Sequence, residues 1–532
     1  MKYFLYGPPA SGKSTLGRAL AAAWGVPFVD LDVRIAARAG QPIPRIFAEA
    51  GETAFRRLET EALAAAVQED GDAVVALGGG ALLNPANRRL AKAAGEVLVL
   101  EAAPETLLAR AEAARASRPL LAGESPAARE QRLRALLQAR AAHYRSFPRR
   151  LPTDADTPDE AVWKAQIRFG RFHLRGMTSP WAPEGYTVRV QAGVRHQTGA
   201  WLRAAGLHGP VALVSDATVA ALHADAVQTA LEAAGYRVVR LTFPAGEAHK
   251  TVATVQSLWE GFLQAGLERG STVVALGGGV VGDLAGFAAA TYMRGVAWVN
   301  LPTTLLAMAD AGIGGKTGAD LPAGKNLVGA FHPPRLVLAD PEVLTTLPEE
   351  EFRNGMAEVV KHGVIGDPAL FALARRGGRA ALTAAVARAM AVKIRIIEAD
   401  PYEGGRRAAL NLGHTIGHGV EAASGFRLRH GEAVAIGMVA EARLAARLGL
   451  AAPALADEIA AALQTWRLPT TIPADLSAEA IWQAMRHDKK KAAGHLRFAL
   501  PVRVGEVRVG VKAAEEAVRA ALAATRGERR GK

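Results

Sequence analysis

Gly7-Pro8-Pro9-Ala10-Ser11-Gly12-Lys13-Ser14 decides how the first part of the chain folds. It follows the short apolar run Lys2–Tyr6 and precedes an Ala-rich stretch with helical spacing. The order is therefore strand, glycine turn, helix, and the spacing fits G-x-x-x-x-G-K-[ST]. Such glycines allow a tight loop whose N–H groups surround phosphate oxygens at a helix amino terminus. Lys13 is expected to reach the β- and γ-phosphates of a nucleotide and the Ser14 hydroxyl to ligate Mg²⁺, with Gly12 and Thr15 completing the cradle. Outward from the loop, Ala73–Leu77 and Glu96–Leu100 read as further strands and Pro126–Tyr144 as a long helix. Residues 1–160 thus predict a P-loop domain, a parallel sheet between two helix layers.

A second α/β pattern begins near Tyr186, with strands expected at Val211–Val214, Arg237–Leu241, Thr272–Leu276 and Trp298–Leu301. Residues 150–185, with Pro152, Pro158, Pro180 and Pro183, read as linker, and we set its bounds at 161–185, allowing a short helix at Asp159–Phe169. Residues 186–340 predict a Rossmann-like α/β domain. From 341 to 515 strand signals fade and the chain turns Ala-rich with helical period, apart from a small hairpin at Leu496–Pro501 and Glu506–Val509. Residues 516–532 read as a helix end and a basic tail. Val74–Gly80 and Val273–Gly279 share one heptapeptide, VVALGGG, but their flanks differ. They read as two independent strand-to-glycine turns, each letting backbone approach a ligand.

At 532 residues the chain exceeds what one core can hold. It has no cysteine, so disulfides and thiolate metal sites are excluded and any metal must use His, Asp or Glu. The formal charge is +13, most of it beyond residue 160. Acids are interleaved with the bases and aromatics are only 6%, which points to small anionic ligands rather than nucleic acid. No apolar run approaches the ~18 residues of a membrane span and no signal peptide precedes the first motif, so a cytoplasmic protein without membrane attachment is expected.

Three of the 13 histidines fall within 17 residues: His414, His418 and His430. Upstream lies Glu358-Val359-Val360-Lys361-His362 on a helical run. Imidazole nitrogens plus one carboxylate oxygen form the ligand set of a catalytic divalent metal with an open position. A lone histidine is more often structural, so His223, His249 and His495 carry no assignment.

Several residues narrow the substrate of the first domain. They are Asp30 and Asp32 in Phe28–Asp32, Arg56 and Arg57 in Gly51–Glu59, Gly78–Gly80, Arg118 in Ser117–Leu121, and Arg140 four residues before Tyr144. Any one of the arginines alone is by default a surface salt-bridge partner; the set in order resembles shikimate kinase over residues 1–160. The resemblance implies that Asp32, Arg56, Gly79 and Arg140 hold shikimate, with Asp32 also the base for its 3-hydroxyl. Asp30 would support Mg²⁺, and Arg118, on a lid, would stabilise the transferring phosphoryl group with Lys13. Ala10 departs from the family, which usually has glycine there.

Residues 186–510 carry a denser pattern. It runs through Pro244–Thr251, Gly277–Asp283, Tyr292–Gly295, Pro302–Thr304, Asp310–Thr317, Gly324–Asn326, Glu358–Lys361, Lys393, Arg407–Asn411 and the histidines. This resembles 3-dehydroquinate synthase, which converts a seven-carbon sugar-acid phosphate, 3-deoxy-D-arabino-heptulosonate 7-phosphate, to 3-dehydroquinate and phosphate. Oxidation of a carbinol acidifies the neighbouring C–H so that phosphate can leave, and NAD⁺ takes the hydride and returns it. The resemblance implies Glu358, His414 and His430 as ligands of Zn²⁺ or Co²⁺, with His418 beside them as a proton-transfer group. Arg294, Lys316, Asn326 and Lys361 would hold phosphate and carboxylate, with Lys393, Arg407 and Asn411 completing that ring. Asp310 would contact substrate or the nicotinamide end. The NAD site would use Asp216, Glu247, Lys250, Gly278, Gly279, Asp283, Thr303 and Thr304, with Lys316 and Lys325. A homodimer through this half is implied as well.

The expectation is a fused enzyme of the route to chorismate, using ATP with Mg²⁺ in one half and NAD⁺ with a divalent metal in the other. Two other readings compete for the second half. A metal-dependent polyol or alcohol dehydrogenase would need no ring of Arg294, Lys316, Lys325, Lys361, Lys393 and Arg407. A nucleotide-regulated scaffold with a dead second enzyme would have no use for intact ligand and base residues. The run Lys489-Lys490-Lys491 fits either a phosphate pocket or a solvated loop.

Overall fold

The computed structural model describes residues 1–113, 126–402, 404–490 and 496–526. It divides into two compact units, Met1–Arg171 and Phe172–Lys532.

In the first unit β1 (Lys2–Tyr6), β2 (Phe28–Asp30), β3 (Ala73–Ala76), β4 (Gly95–Glu101) and β5 (Arg150–Pro152) form one parallel sheet in the order β2-β3-β1-β4-β5. The period of two in β1 sends Phe4 and Tyr6 into one core and Tyr3 and Leu5 into the other. A strand buried on both faces is what a covered parallel sheet requires. Its helices include α1 (Lys13–Trp24), α2 (Ile43–Gln68), α3 (Pro126–Arg145) and α4 (Pro158–Phe169).

Residues 161–171, expected as linker, belong to the first unit. Pro152 ends an edge strand, where the missing N–H costs no ladder bond. Pro158 stands at the first position of α4, behind a capping box between Thr157 and Glu160. Ala161, Ala165 and Phe169 of α4 are buried with Tyr3 and Trp24, and the Trp24 indole N–H donates to the Arg171 carbonyl. Pro152 and Pro158 thus bound elements of the first unit, whose boundary falls at Arg171, and Pro180 and Pro183 lie beyond it in the second.

The second unit begins within the edge strand β6 (Arg171–Leu174), at Phe172, and continues with β7 (Tyr186–Val190), β8 (Val211–Asp216), β9 (Val238–Phe243), β10 (Thr272–Gly277) and β11 (Ala297–Pro302). A hairpin of β12 (Lys316–Leu321) and β13 (Gly324–Phe331) precedes β14 (Leu336–Ala339), and β15 (Arg497–Arg503) pairs antiparallel with β16 (Glu506–Lys512) near the end. The large sheet has the order β6-β7-β14-β11-β10-β8-β9. From β7 to β9 every pairing is parallel. The chain moves outward from β8 to β9 and crosses back to β10, so the order reverses between β8 and β10. In open parallel sheets ligands bind outside the carboxyl ends of the strands at such a point. Both copies of the repeated heptapeptide end parallel strands at glycine turns. After β3 a 3-10 turn follows, Ala81–Leu83, whereas after β10 a helix, α5 (Gly279–Thr291), starts directly.

Beyond β14 the unit is helical apart from β15 and β16. It is built around α6 (Glu349–Gly366), α7 (Leu382–Ala399), α8 (His414–Ala423) and α9 (His430–Arg447). Residue 413, the cap of α8, and residue 417 within it lie against 437 and 433–434 of α9, so the two helices run antiparallel. They touch at backbone: a Cβ on Gly437 would sit 2.0 Å from the Gly413 oxygen. Among the described residues no helix is long and apolar enough to cross a membrane.

Candidate active sites

In the first unit the loop after β1 holds Ala10 at φ 64° and Gly12 at φ 91°, both left-handed. Alanine in that region costs roughly 1–2 kcal/mol, and its methyl is buried against Leu107 and Leu133 in return. The Lys13 ammonium donates to the carbonyls of Gly7 (2.9 Å) and Pro8 (2.8 Å), and the Ser14 hydroxyl donates to Asp30 Oδ2 at 2.6 Å. One cavity is lined by Gly12, Lys13, Ser14, Thr15, Asp30, Asp32, Arg56, Glu59 and Gly78–Gly80. Arg140 (3.0 Å) and the Tyr144 hydroxyl (2.7 Å) both donate to the Gly79 carbonyl, which ties α3 to the glycine turn. Sequence reasoning passed over Glu59. It is 1% exposed, pairs with Arg56 at 2.6 Å, and burial raises its carboxyl above the usual range against the pull of that arginine. Its spacing three residues after Arg56 on one helix was the available signal. Arg118 lies outside the described residues.

In the second unit the residues expected to hold a dinucleotide gather at the carboxyl ends of β8 to β11. Asp216 ends β8 and caps the following turn by accepting from Val219 N. Glu247 and Lys250 follow β9; Gly278 and Gly279 follow β10; Thr303 and Thr304 follow β11. Gly278 packs on the Thr304 methyl, and the Thr303 hydroxyl is buried with no hydrogen-bond partner among the described residues. A small cavity joins Gly278, Gly279 and Asp283 to Asn300 and Lys316. Lys250 is buried between Asp283 Oδ2 and Asn326 Oδ1, 2.5 Å from each. Burial raises the Asp283 carboxyl, with Lys250 opposing. Lys325 reaches Glu247 (3.6 Å) and lies over the Phe426 ring, 5.5 Å from its centre, just beyond α8.

The histidine cluster assembles from three helices. Glu358 on α6 faces His414 Nε2 on α8 and His430 Nε2 on α9, each 3.7 Å from its Oε1. Both Glu358 oxygens are buried and make no hydrogen bond among the described residues; Lys361 faces one as an ion pair. Burial acts to raise this carboxyl, but Lys361 together with His430 and His414 holds it well below the carboxylate range. Burial and Lys361 push His414 down to about 3. Its Nδ1 sits 3.2 Å from the Leu412 carbonyl, which can only accept, so Nδ1 carries the proton and Nε2 presents its lone pair to the cluster. For His430 burial acts downward and the carboxylates of Glu358 and Glu421 outweigh it, raising it to about 9. His418 shares a face of α8 with His414, with ring centres 5.3 Å apart.

Beside this cluster stand the cations. Asp310 Oδ1 is 2.8 Å from Lys393 Nζ, which also donates to the Asp310 carbonyl at 2.5 Å. Burial would raise Asp310, yet Lys393 and Lys361 hold it well below its ordinary value. Arg407, buried, donates to the Pro401 carbonyl, and Asn411 ends the turn leading to α8. His362, one residue after Lys361, is wholly buried without a hydrogen bond among the described residues, and burial with Lys361 lowers it to about 4. Its place four residues after Glu358 was a readable signal. Glu421, 3.5 Å from His430 Nδ1, was also missed.

Arg294 is not brought to this cluster. It is exposed at φ 68° beyond the carboxyl end of α5. The helix has 13 residues, which puts it roughly 20 Å from the Gly279 end. The Lys489–Lys491 side chains and the tail from 527 lie outside the described residues.

Family profiles match three segments: shikimate kinase over residues 9–169, the 3-dehydroquinate synthase N-terminal domain over 240–354, and its C-terminal domain over 355–491. The 3-dehydroquinate synthase of Symbiobacterium thermophilum is 48% identical over 355 residues, which are 64% of this chain and 98% of that protein. Among solved structures, the 2-epi-5-epi-valiolone synthase ValA from Streptomyces hygroscopicus subsp. jinggangensis 5008, with NAD⁺ and Zn²⁺ bound, is 29% identical at a TM-score of 0.59. It covers 65% of this chain and 98% of its own. A 2-deoxy-scyllo-inosose synthase complexed with carbaglucose-6-phosphate, NAD⁺ and Co²⁺ is 25% identical at a TM-score of 0.60, covering 67% and 99%. The chain therefore belongs to the 3-dehydroquinate synthase family and carries a shikimate kinase domain ahead of it, and its two activities are those steps of the shikimate pathway.

Proposed function

We propose specific roles for the residues of each site. In the first unit, the loop of Gly12, Lys13, Ser14 and Thr15 binds the phosphates of ATP, and Ser14 with Asp30 holds Mg²⁺, consistent with their 2.6 Å contact. Asp32, Arg56, Gly79 and Arg140 orient shikimate, and Asp32 takes the proton from its 3-hydroxyl. Glu59 holds the Arg56 guanidinium in place from below.

In the second unit the donor set fits a divalent cation. One buried carboxylate and two imidazole nitrogens converge from three helices, with each Nε2 3.7 Å from Glu358 Oε1. Glu358, His414 and His430 would hold Zn²⁺ or Co²⁺, which when bound polarises the hydroxyl that is oxidised. NAD⁺, at the carboxyl ends of β8 to β11, supplies the hydride acceptor and then the donor. Lys361, Lys393, Arg407 and Asn411 bind and orient the anionic substrate from the helical side, and Lys316 and Asn326 from the hairpin. Asp310, ion-paired to Lys393, sets the position of that ammonium. His418 moves protons at the substrate oxygen facing the cluster. The substrate is 3-deoxy-D-arabino-heptulosonate 7-phosphate. The working form is a cytoplasmic homodimer through the second unit, checked by light scattering of the purified chain.

One observation carries the second assignment: Lys361 is ion-paired to Glu358 of the ligand trio, and Lys393 is held 2.8 Å from Asp310, whose carboxylate lies beside Glu358. A plain alcohol dehydrogenase has no need of these cations, whereas a sugar-acid phosphate does. The test is turnover of the heptulosonate phosphate with phosphate release and no net NADH; accumulation of NADH from an alcohol would defeat the reading. Lys13→Ala should abolish only the kinase and His418→Ala only the synthase. Loss of both from either change would refute two independent sites.

A further inference from the structure

Three helices each contribute one donor to the Glu358–His414–His430 cluster, so the cluster is only as well defined as the register between them. The first amides of any helix have no partner within it. Here two buried side chains supply those partners across helices. Asn354, one turn before Glu358 on α6, accepts from Gly431 N at 2.5 Å through Oδ1, in the first turn of α9 and next to His430. Glu441, on α9 and fully buried, accepts from Gly413 N at 2.6 Å and from Ile416 N at 3.1 Å, the amides flanking His414 at the start of α8.

A local cap is excluded for α8. Its N-cap residue is Gly413, at φ 79°, and a Cβ there would lie 2.6 Å from Met438 Cγ and 2.8 Å from the Val434 carbonyl oxygen. Close approach of the two helices demands glycine at the cap, and glycine has no side chain to do the capping. The Glu441 carboxylate takes over, favoured by the positive end of the helix dipole. At Gly431 a Cβ would lie 2.2 Å from the Asn354 carbonyl oxygen, so α6 and α9 also meet at backbone.

We propose that Asn354 and Glu441 are positioning residues of the metal centre: α6 caps α9, α9 caps α8, and this chain of two caps sets the distances between the three donors. The inference rests on the metal-centre reading given above. Asn354 holds the amide next to His430 and Glu441 the amides around His414, so each acts through the helix it caps. Partners that orient metal ligands are typically worth 10–100-fold in metal affinity.

The test uses the full chain stripped of metal and titrated with Zn²⁺ alone in competition with a chromophoric chelator. Glu441→Ala and Asn354→Ala should each weaken zinc binding about 10–100-fold, and Glu441→Gln, which keeps one acceptor, should fall between. The visible spectrum of the Co²⁺-loaded variants should shift from that of the parent. Kinase kcat/KM and helix content should not change. His414→Ala separates the two claims. If it loses zinc while folded Glu441 and Asn354 variants bind as the parent does, the capping proposal is overturned. If His414→Ala also binds zinc as the parent does, the metal-centre reading itself fails. Loss of helix content in all three capping variants overturns the proposal too, since the residues then support the fold rather than the donor geometry.

Discussion

Replacing Gly437 by alanine sets two effects of known sign against each other. Gly437 lies within α9 at an ordinary helical φ, and glycine to alanine inside a helix is worth about 1 kcal/mol of stability by propensity alone. The new methyl carbon would sit 2.0 Å from the Gly413 oxygen and 2.8 Å from Gly417 N. Both are backbone atoms, which cannot swing aside. Real Cβ atoms keep at least 3.0 Å, so α8 must move away by about 1 Å. Overpacking of this kind costs about 1–3 kcal/mol, so the net change is a loss of up to about 2 kcal/mol despite the propensity gain. The larger consequence is at His414, carried on the first residue of α8. Metal sites tolerate about 0.2 Å in ligand distance, and a displacement several times larger should cost the centre at least tenfold in zinc affinity. The assay is zinc competition on the stripped chain, with thermal unfolding followed in parallel and kinase turnover as the internal control. A Gly437→Ala chain with unchanged zinc affinity and equal or greater thermal stability would refute the reasoning.

Three further outcomes are expected. Dialysis against a strong chelator should abolish synthase turnover and Zn²⁺ or Co²⁺ should restore it, while the kinase should respond only to Mg²⁺; a synthase indifferent to chelation would contradict the assigned ligands. Ala10→Gly should leave the thermal resistance of kinase activity nearly unchanged. Relief of left-handed strain (about 1–2 kcal/mol) is offset by the lost methyl contact with Leu107 and Leu133 and by the freer unfolded chain, each about 1 kcal/mol; a loss above about 2 kcal/mol would show the alanine to be needed. Asp72 pairs with the Met1 amino group at 2.6 Å and with Arg171, and despite burial these partners hold its carboxyl below the ordinary value. Its contribution is therefore complete above the unfolded-state value near 4 and is lost as pH falls through the lower native value. Asp72→Asn should cost about 3 kcal/mol at neutral pH, and the gap from the parent should close below about pH 4 in acid-unfolding curves of kinase activity.

Local rules carried much of the reading. The strand and helix around Gly7–Ser14 and the strands Thr272–Leu276 and Val211–Val214 were visible because apolar runs, glycine turns and period all act within a few residues. Glu358 and the histidines were visible because ligand chemistry restricts residue types. What escaped depends on distant partners or on context. Glu441 reads as one acid on a long helix, and only its 28-residue reach to Gly413 gives it meaning. Asn354 reaches 77 residues to Gly431. Pro152 and Pro158 look alike in a list of breakers, yet one ends an edge strand and the other opens a helix. The hairpin of β12 and β13 leaves no strand signal in the sequence, because much of β13 is exposed and lacks an apolar run. Arg294 shows the converse: its motif is intact, but the length of α5 separates it from the other cations.

The bridge made by Lys250 has a thermodynamic consequence. One ammonium touches Asp283, on the helix that opens at the glycine turn, and Asn326, on the hairpin with Lys316. On the proposed reading these are the cofactor side and the substrate side of one site. Any ligand that shifts Lys250 on one side changes the free energy of the other. Linkage then requires reciprocity: the factor by which NAD⁺ alters substrate affinity equals the factor by which substrate alters NAD⁺ affinity. A coupling factor above one would serve a cofactor regenerated in every turnover, because a site charged with substrate would then hold its nicotinamide more tightly during the steps in which losing it would strand the reaction.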